Sequence, residues 1–188
     1  MIEAPRIAST RLDLVPLSVA DAARVYDDAA DPAMYRYLQQ RPPTSLPDLE
    51  ALFARWSGGS PDTRCVWLNW VAIERRSRER IGLVQATLDA PARTATIGYS
   101  IFARFQGRGF AREAATAMLA RLVARGDIDR AIAEISEPNR ASRAVVDSLG
   151  FLPSGRISGS GRDAGVICDD IVYTLELVNR RVVRNLPR

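Results

Sequence analysis

The segment Gln106-Gly107-Arg108-Gly109-Phe110-Ala111 joins a predicted strand to a predicted helix and has the residue types of an anion site. Its glycines let a ligand approach the backbone closely, and the unpaired amides at a helix start attract negative charge. Arg108 and Arg112 add positive charge beside the turn. The pattern predicts a pyrophosphate site, and the alternative is a tight turn that needs glycine only for its shape. It is a poor Rossmann fingerprint, because Arg112 stands at the third glycine.

The composition limits the chemistry that is available. The sequence contains no histidine, and all 26 of its basic residues are arginine. This excludes Ser-His-Asp and Cys-His triads, histidine-rich zinc sites, Schiff bases and the Walker A lysine. The cysteines Cys65 and Cys168 are too few for a disulfide framework or a four-cysteine zinc site. Catalysis must therefore use carboxylates, hydroxyls, backbone amides or arginine, and we expect no metal.

The elements that must position the turn are a meander of strands followed by alternating strands and helices. In chain order, the predicted elements are a strand at 11–17, helices after Ser18 and Ser45, strands at 65–74, 80–88 and 94–101, a helix after Gly109, a strand at 128–136, a helix from Asn139 to about Leu149, and a strand at 167–177. Residues 155–165 contain four glycines and two serines, which predicts a flexible loop.

Length and charge indicate one globular domain with a tail. The chain has 188 residues, of which 47% are hydrophobic, so we expect a single domain at 1–177 and a basic tail at 178–188. Four arginines of that tail account for the net charge of +4, since 22 basic and 22 acidic residues remain without them. The charge therefore does not favour a nucleic-acid partner. No apolar run could span a bilayer, and no signal peptide begins the chain, so we expect a cytoplasmic protein without a membrane partner.

Two motifs resemble those of a known superfamily. Gln106-x-x-Gly109-x-Ala111, after a strand ending in Ile97-Gly98-Tyr99-x-Ile101, resembles the acyl-CoA-binding motif of the GNAT N-acetyltransferases. Asn139-x-x-Ser142 and Leu149-Gly150-Phe151 resemble the next signature. The resemblance covers 11–177 and is closest to the RimJ/RimL-type ribosomal-protein N-terminal acetyltransferases. It implies a mixed α/β fold with a mostly antiparallel, twisted sheet of six to seven strands and about four helices on both faces.

The resemblance also implies how acetyl-CoA, the acyl donor, would bind. The pantetheine arm would pair with backbone near Ile101 and Phe102, where the strand splays from its neighbour. The pyrophosphate would rest on the amides of 107–112. Asn139 would hold the pantetheine, and helix capping is its alternative role. The implied cofactor-binding residues are Ile101, Phe102, Gln106, Gly107, Arg108, Gly109, Phe110, Ala111, Arg112 and Asn139.

The catalytic residues implied by the resemblance are Glu134 and Ser142. Relatives often place a glutamate base five residues before the asparagine, which here is Glu134. Its apolar flanks make it either an exposed edge charge or a desolvated base. Ser142 would lie near the sulfur and serve as donor to the thiolate, because Val146 stands where relatives often have a tyrosine acid.

Other carboxylates compete with Glu134 for the role of base. Glu113 begins a helix, where a carboxylate is stabilised by the helix dipole alone. Asp169 and Asp170 start the last strand and could face the acceptor amine.

The predicted activity is acetyl-CoA-dependent transfer of an acetyl group to a primary amine, on a protein N-terminus or a small molecule, by direct attack. One alternative is an acyl-CoA-binding regulatory module without turnover, which Val146 and Thr96 favour because they replace residues often found in relatives. A second alternative is RNA or ribosome docking through the tail and the arginines of 75–80. The acceptor stays open, and the last strand could pair across a homodimer.

Overall fold

Eight strands form one sheet in a computed structural model that describes residues 4–177. The strands are β1 (Ile7–Ala8), β2 (Leu12–Pro16), β3 (Cys65–Glu74), β4 (Arg80–Asp89), β5 (Thr94–Ile101), β6 (Arg130–Ser136), β7 (Leu152–Asp163) and β8 (Val166–Glu176). Their order in the sheet is β1-β2-β3-β4-β5-β6-β8-β7. Every neighbouring pair is antiparallel except β5 and β6, which run parallel near the middle of the sheet.

Four helices pack on this sheet: α1 (Ala22–Ala29), α2 (Leu46–Ser57), α3 (Phe110–Arg125) and α4 (Arg140–Ser148). Polar side chains begin two of them as the sequence predicts. The Ser45 hydroxyl accepts the Asp48 N–H at the start of α2, and Asn139 Oδ1 accepts the Ser142 N–H at the start of α4. These bonds satisfy amides that have no partner within the helix, so they fix where each helix starts.

The helices lie on both faces of the sheet, as the resemblance implied. Asn69 of β3 donates its side-chain amide to the Trp56 carbonyl of α2 over 3.0 Å. The strand register aligns Asn69 with Gln85 and Gly98, so these three residues share what we call the α2 face. Tyr99 points to the opposite side and reaches α4, which defines the α4 face. The two faces matter because the candidate site opens to both.

The β7–β8 hairpin corrects the sequence prediction. Residues 155–165 form most of β7 and the turn into β8, where a flexible loop was expected. The glycines serve close packing as well as turning, since a Cβ on Gly161 would lie 2.5 Å from Asp170 Oδ1. The ladder accommodates them through register shifts after Pro153 and Ile157.

The sheet has more strands than the six to seven expected, because β1 and β7 gave no clear pattern. The last strand, β8, is paired on one side with β6 and on the other with β7. Both of its edges are occupied, so it cannot pair across a dimer as the sequence suggested.

Among the described residues, one hydrophobic core joins the four helices with every strand except β7, which contributes no side chain to it. Within residues 4–177, no helix is long and apolar enough to cross a membrane. Over the same range, His, Cys, Asp and Glu side chains form no group of three or more that could hold a metal ion. The tail at 178–188 lies outside the described residues.

Candidate functional site

A gap opens between the parallel strands β5 and β6. The two strands pair only where Thr94 to Thr96 align with Arg130 to Ile132. Beyond these residues β5 continues to Ile101 and β6 to Ser136, and they no longer pair with each other. The diverging strands leave a cleft at the centre of the sheet, and a free backbone edge borders it. Pairing with such an edge is a common binding mode for an extended ligand.

The edge of β5 directs backbone groups into this gap. The Phe102 N–H donates to the Ile81 carbonyl over 2.9 Å, and alternate residues of an antiparallel ladder point their backbone groups to opposite sides. Tyr99 and Ile101 therefore direct theirs away from β4 and towards β6. Gln106 Nε2 donates to the Ile101 carbonyl over 2.8 Å. This predicted cofactor-binding residue therefore holds the C-terminal end of the β5 edge in place.

Phe102 does not offer the backbone groups that the sequence analysis expected. Its N–H is bonded to Ile81, and its carbonyl accepts the Phe105 N–H at 2.8 Å. A short 3-10 turn, Ala103–Phe105, begins directly after it and uses that carbonyl. Backbone pairing with a ligand can therefore rest on the Ile101 N–H and on Tyr99, while Phe102 packs its ring in the core.

The turn after β5 has the shape of an anion cradle. Gly107 and Gly109 have φ angles of +72° and +78°, a conformation that side chains with a Cβ rarely adopt. A Cβ on Gly107 would meet no atom within 4 Å, so the turn faces open space. Gly109 is the N-cap of α3, and the amides of Phe110, Ala111 and Arg112 follow at the start of this 16-residue helix. A helix N-terminus behind an open glycine turn fits a diphosphate.

Arg11, in the turn between β1 and β2, clamps this cradle to the sheet. Its Nη1 donates to the Arg108 carbonyl over 3.1 Å, and its Nε lies 2.6 Å from Glu113 Oε2. The Arg11 N–H and the Ser9 hydroxyl donate to the other Glu113 oxygen. Burial alone would raise the pKa of Glu113, but the bonds from Arg11 and Ser9 outweigh it, so the pKa is lowered.

The positive charge of the cradle differs from expectation. Arg108 Nη2 lies 3.2 Å from Glu74 Oε1, so its charge is partly paired. The guanidinium groups of Arg11 and Arg108 lie 4.5 and 4.9 Å from the Phe110 ring centre, a cation–π arrangement that holds both beside the turn. Arg112 is exposed and forms no ion pair within residues 4–177.

The start of α4 brings a pair of hydroxyls together on the α4 face. Asn139 caps the helix by accepting the Ser142 N–H at 3.1 Å, so its helix-cap role is confirmed. The Tyr99 hydroxyl lies 3.1 Å from Ser142 Oγ and also 3.1 Å from the Ser142 carbonyl oxygen. Burial raises the pKa of Tyr99 to about 12, although the Ser142 bond acts to lower it. Val146, one turn further along α4, is buried in the core.

Three candidate bases, Glu134, Asp169 and Asp170, lie on β6 and β8, across the gap from β5. Glu134 is exposed on β6, and no hydrogen bond or ion pair engages its carboxylate within the described residues. It shares a face with Ser136, two residues along the strand, which donates to Asp170 Oδ1 over 2.9 Å. Ser160 donates to the other Asp170 oxygen. Asp169 is paired with Arg156 at 3.0 Å, and that hydrogen bond lowers the pKa of Asp169.

Glu134 and Ser142 therefore flank one gap from opposite faces. The register places Thr96 beside Ile132, so Glu134 continues the face of Gly98, which is the α2 face. Ser142 lies on the α4 face through its contact with Tyr99. Glu134 and Ser142 were both predicted from the sequence, whereas Arg11 was not, and Tyr99 was noted only as part of a motif.

The fold is a half-split sheet, and the candidate site is its central gap with an open glycine turn at the mouth. A family model described as "Acetyltransferase (GNAT) domain" matches residues 11–152. The chain belongs to this family of GNAT acetyltransferases and is an acyltransferase.

Solved structures share the fold. A Salmonella typhimurium acetyltransferase that modifies the N-terminal serine of the 50S ribosomal subunit protein L7/L12 has a TM-score of 0.78 and 20% identity, over 92% of this chain and 99% of its own. A GCN5-related N-acetyltransferase from Brucella melitensis has a TM-score of 0.82 and 15% identity, over 98% and 85%. The microcin C7 self-immunity acetyltransferase MccE, in complex with acetyl-CoA and AMP, has a TM-score of 0.74 and 19% identity, over 89% and 93%. No curated protein sequence matches the chain.

The comparisons confirm the fold expected from the sequence, and a ribosomal-protein acetyltransferase is among the structural neighbours, as the resemblance to the RimJ/RimL type implied. At these identities the likeness concerns the fold, so the roles of individual residues are argued from this chain's own geometry.

Proposed function

We propose that this chain is an acetyl-CoA-dependent N-acetyltransferase that acts on a primary amine, either a protein N-terminus or a small molecule. The observation that carries the proposal is the gap between β5 and β6, with a glycine cradle at its mouth and candidate catalytic groups on its two faces. The neighbours solved with acetyl-CoA or known to modify an N-terminal serine support it.

Acetyl-CoA fits the residues present. Its diphosphate would lie on the open cradle, and its pantetheine arm would pair with the free edge of β5. Asn139 uses its side-chain oxygen as a cap and keeps its amide N–H groups for the arm. The residues that would hold it are Ile101, Gln106, Gly107, Arg108, Gly109, Phe110, Ala111, Arg112 and Asn139, with Phe102 as a packing residue beneath them.

When bound, acetyl-CoA supplies an activated acyl group. Glu134 on the α2 face would accept a proton from the acceptor ammonium, directly or through water. Ser142 on the α4 face would donate a hydrogen bond to the departing sulfur. Because the two residues lie on opposite faces of the sheet, the negative charge of Glu134 is kept away from Ser142.

The acceptor side of the site supports an amine. Its wall on the α2 face carries the exposed Glu134, and a carboxylate favours an ammonium group over a neutral or anionic acceptor. We keep the cytoplasm as the proposed compartment, since Cys65 and Cys168 are both unpaired. A homodimer is also only proposed, and it would have to use a surface other than β8.

The test is release of free CoA from acetyl-CoA, followed with a thiol reagent, across a panel of peptides with different N-terminal residues, polyamines and amino acids. The proposal expects release that depends on one class of amine and acetylated product of matching mass. Reactions without amine serve as the blank. Tight acetyl-CoA binding without amine-dependent release across the panel would support the non-catalytic module instead.

A further inference from the structure

The Tyr99 hydroxyl is the side-chain group of β5 that hydrogen-bonds to Ser142 within the described residues. Tyr99 sits on the free edge of β5, two residues before Ile101, and its side chain crosses the α4 face to reach the first turn of α4. The phenolic hydroxyl of Tyr99 has one proton to donate. When Tyr99 donates it to Ser142 Oγ, the Ser142 hydroxyl proton is free to point at a third group. When Tyr99 donates to the Ser142 carbonyl, Ser142 Oγ donates to Tyr99 instead.

We propose that Tyr99 is a positioning residue for acyl transfer: it holds Ser142 Oγ as an acceptor so that the Ser142 proton points at the sulfur leaving the acyl group. This inference rests on the proposed function and adds a residue that neither the motif nor the family match assigns. Asn139 accepts a hydrogen bond from the Ser142 backbone N–H, and Tyr99 forms a hydrogen bond with the Ser142 hydroxyl. Both the backbone and the side chain of Ser142 are therefore held in place.

The reaction balances without a further reactant. The amine nitrogen forms the new C–N bond, and the C–S bond breaks with its electron pair remaining on sulfur. Of the two protons that the ammonium loses, one reaches the sulfur and the other reaches solvent through the base. Ser142 donates a hydrogen bond to the sulfur while its negative charge develops, and Tyr99 keeps its own proton throughout.

The surroundings of Tyr99 suit this role. Burial raises its pKa to about 12, so it stays protonated at any pH where an enzyme of this kind works. A hydrogen bond to a developing anion is also stronger in a partly buried site than in water. Elsewhere on α4, the hydroxyl of Ser148 donates to the Val145 carbonyl, and Val146 carries no polar group. Ser142 is therefore the residue of α4 whose hydroxyl can donate a hydrogen bond in the gap.

The first experiment measures binding. The dissociation constants of CoA and of desulfo-CoA, which lacks the sulfur, are compared by calorimetry at about pH 9, where a thiol is partly ionised. The wild type should prefer CoA, and Tyr99→Phe and Ser142→Ala should each reduce that preference by about fivefold to tenfold. Binding of desulfo-CoA should be unchanged. Tyr35→Phe is the matched control, because the Tyr35 hydroxyl also donates to a backbone carbonyl, that of Ala29.

The second experiment measures transfer from acetyl-CoA and from its selenoester analogue, whose selenol is more acidic and needs less help to leave. Tyr99→Phe should slow transfer from acetyl-CoA by about tenfold and from the selenoester much less. The double variant Tyr99→Phe/Ser142→Ala should be no slower than Ser142→Ala alone, since Tyr99 acts through Ser142.

Two results would overturn the inference. One is a Tyr99→Phe protein that binds CoA and desulfo-CoA with equally weakened affinity, and the other is equal slowing with both donors. Either would show that the hydroxyl only supports the structure. Absence of transfer by the wild type would instead contradict the proposed function, and the binding comparison would still decide the role of Tyr99.

Discussion

At the scale of single residues, the site separates binding from transfer. The groups proposed to hold acetyl-CoA are backbone amides and the Asn139 amide, whereas Glu134 and Ser142 are side chains on the two faces of the gap. Backbone contacts are insensitive to most substitutions, so side-chain variants at the gap should alter turnover and leave affinity for the donor intact.

Glu134→Gln should lower kcat/KM by about 10²–10⁴-fold, because glutamine keeps the shape of the side chain but cannot accept a proton. The dissociation constant of acetyl-CoA should stay within about twofold of the wild type, since Glu134 is not among its proposed contacts. Steady-state kinetics with the best amine of the panel and calorimetry with acetyl-CoA measure the two effects.

Asp170→Asn is the matched control for the base. Both Asp170 oxygens already accept hydrogen bonds from Ser136 and Ser160, whereas no such bond engages Glu134 in the described chain. We therefore expect Asp170→Asn to keep most of the activity. A large loss with Asp170→Asn and near-normal turnover with Glu134→Gln would move the base to β8.

Residue types and spacing predicted part of this site from the sequence. The absence of histidine and lysine limited catalysis to the groups that the gap contains, and the glycine turn was recognised from its local pattern. The proximity of Tyr99 to Ser142 was not predictable, because the two residues are 43 positions apart and meet only through packing of α4 on β5. The engagement of the Phe102 carbonyl was not predictable either, because the 3-10 turn that uses this carbonyl has no distinct sequence signal.

At the scale of elements, the turn between β1 and β2 supports the cradle at the start of α3. Arg11 reaches both the Arg108 carbonyl and Glu113 from this turn. The cradle amides keep their direction only while the turn keeps its shape, so Arg11 should matter for the phosphate end of the donor and not for the acyl end.

Arg11→Met keeps the length of the side chain but removes the guanidinium donors, and should raise the dissociation constant of acetyl-CoA by about tenfold. The kinetics with S-acetylpantetheine, which has no diphosphate, should not change. Arg75→Met is the control, because Arg75, directly after β3, forms a similar ion pair at 2.9 Å with Asp13 of β2. If Arg11→Met impaired both donors alike, the clamp would not be specific to the phosphates.

Glu113, the carboxylate of the same clamp, makes the stability of the protein depend on pH. Its pKa is lowered from the ordinary 4.5 in the folded state, so its stabilising effect is complete above 4.5 and is lost as the pH falls through the folded-state pKa. Glu113→Gln should reduce the free energy of unfolding by about 1–2 kcal/mol at neutral pH, and the difference should shrink below pH 4.5.

Urea unfolding at neutral pH and at a series of lower values measures this difference. Glu50→Gln, at a position that forms no ion pair within the described residues, should change neither the stability nor its pH dependence. A difference between Glu113→Gln and wild type that is equally large at all pH values would indicate loss of packing instead of loss of a charge.

Local signals predicted most elements, and long-range pairing decided the rest. Ser45 and Asn139 marked helix starts correctly because a cap acts within three residues. Residues 155–165 looked like a loop because glycine and serine disfavour a strand locally, whereas the adjacent strand β8 supplies a ladder that outweighs this preference. The clamp between Arg11 and Glu113 spans 102 positions, so no local pattern could reveal it.

At the scale of the whole molecule, one core couples the cradle to global stability. Phe110 and the following apolar residues of α3 are buried in the same core as β2 to β6. A ligand that binds only the folded protein stabilises it by mass action, by about 2.7 kcal/mol at a concentration of 100 times its dissociation constant. For a domain of this size that corresponds to a rise in Tm of about 5–10 °C.

Two glycines at the ends of α3 provide a matched test of this coupling. Gly109 precedes the helix with a φ of +78°, and Gly126 follows it with a φ of +77°. Alanine at either position must adopt the same disfavoured conformation, so both variants should unfold about 1–2 kcal/mol more easily than the wild type. Gly109 lies in the cradle, whereas Gly126 lies at the far end of a 16-residue helix. Thermal unfolding with increasing acetyl-CoA should therefore show the full rise in Tm for Gly126→Ala and little or none for Gly109→Ala. An equal rise in both folded variants would contradict the assignment of the cradle, because the φ angles of the two positions are matched and only Gly109 lies in the cradle.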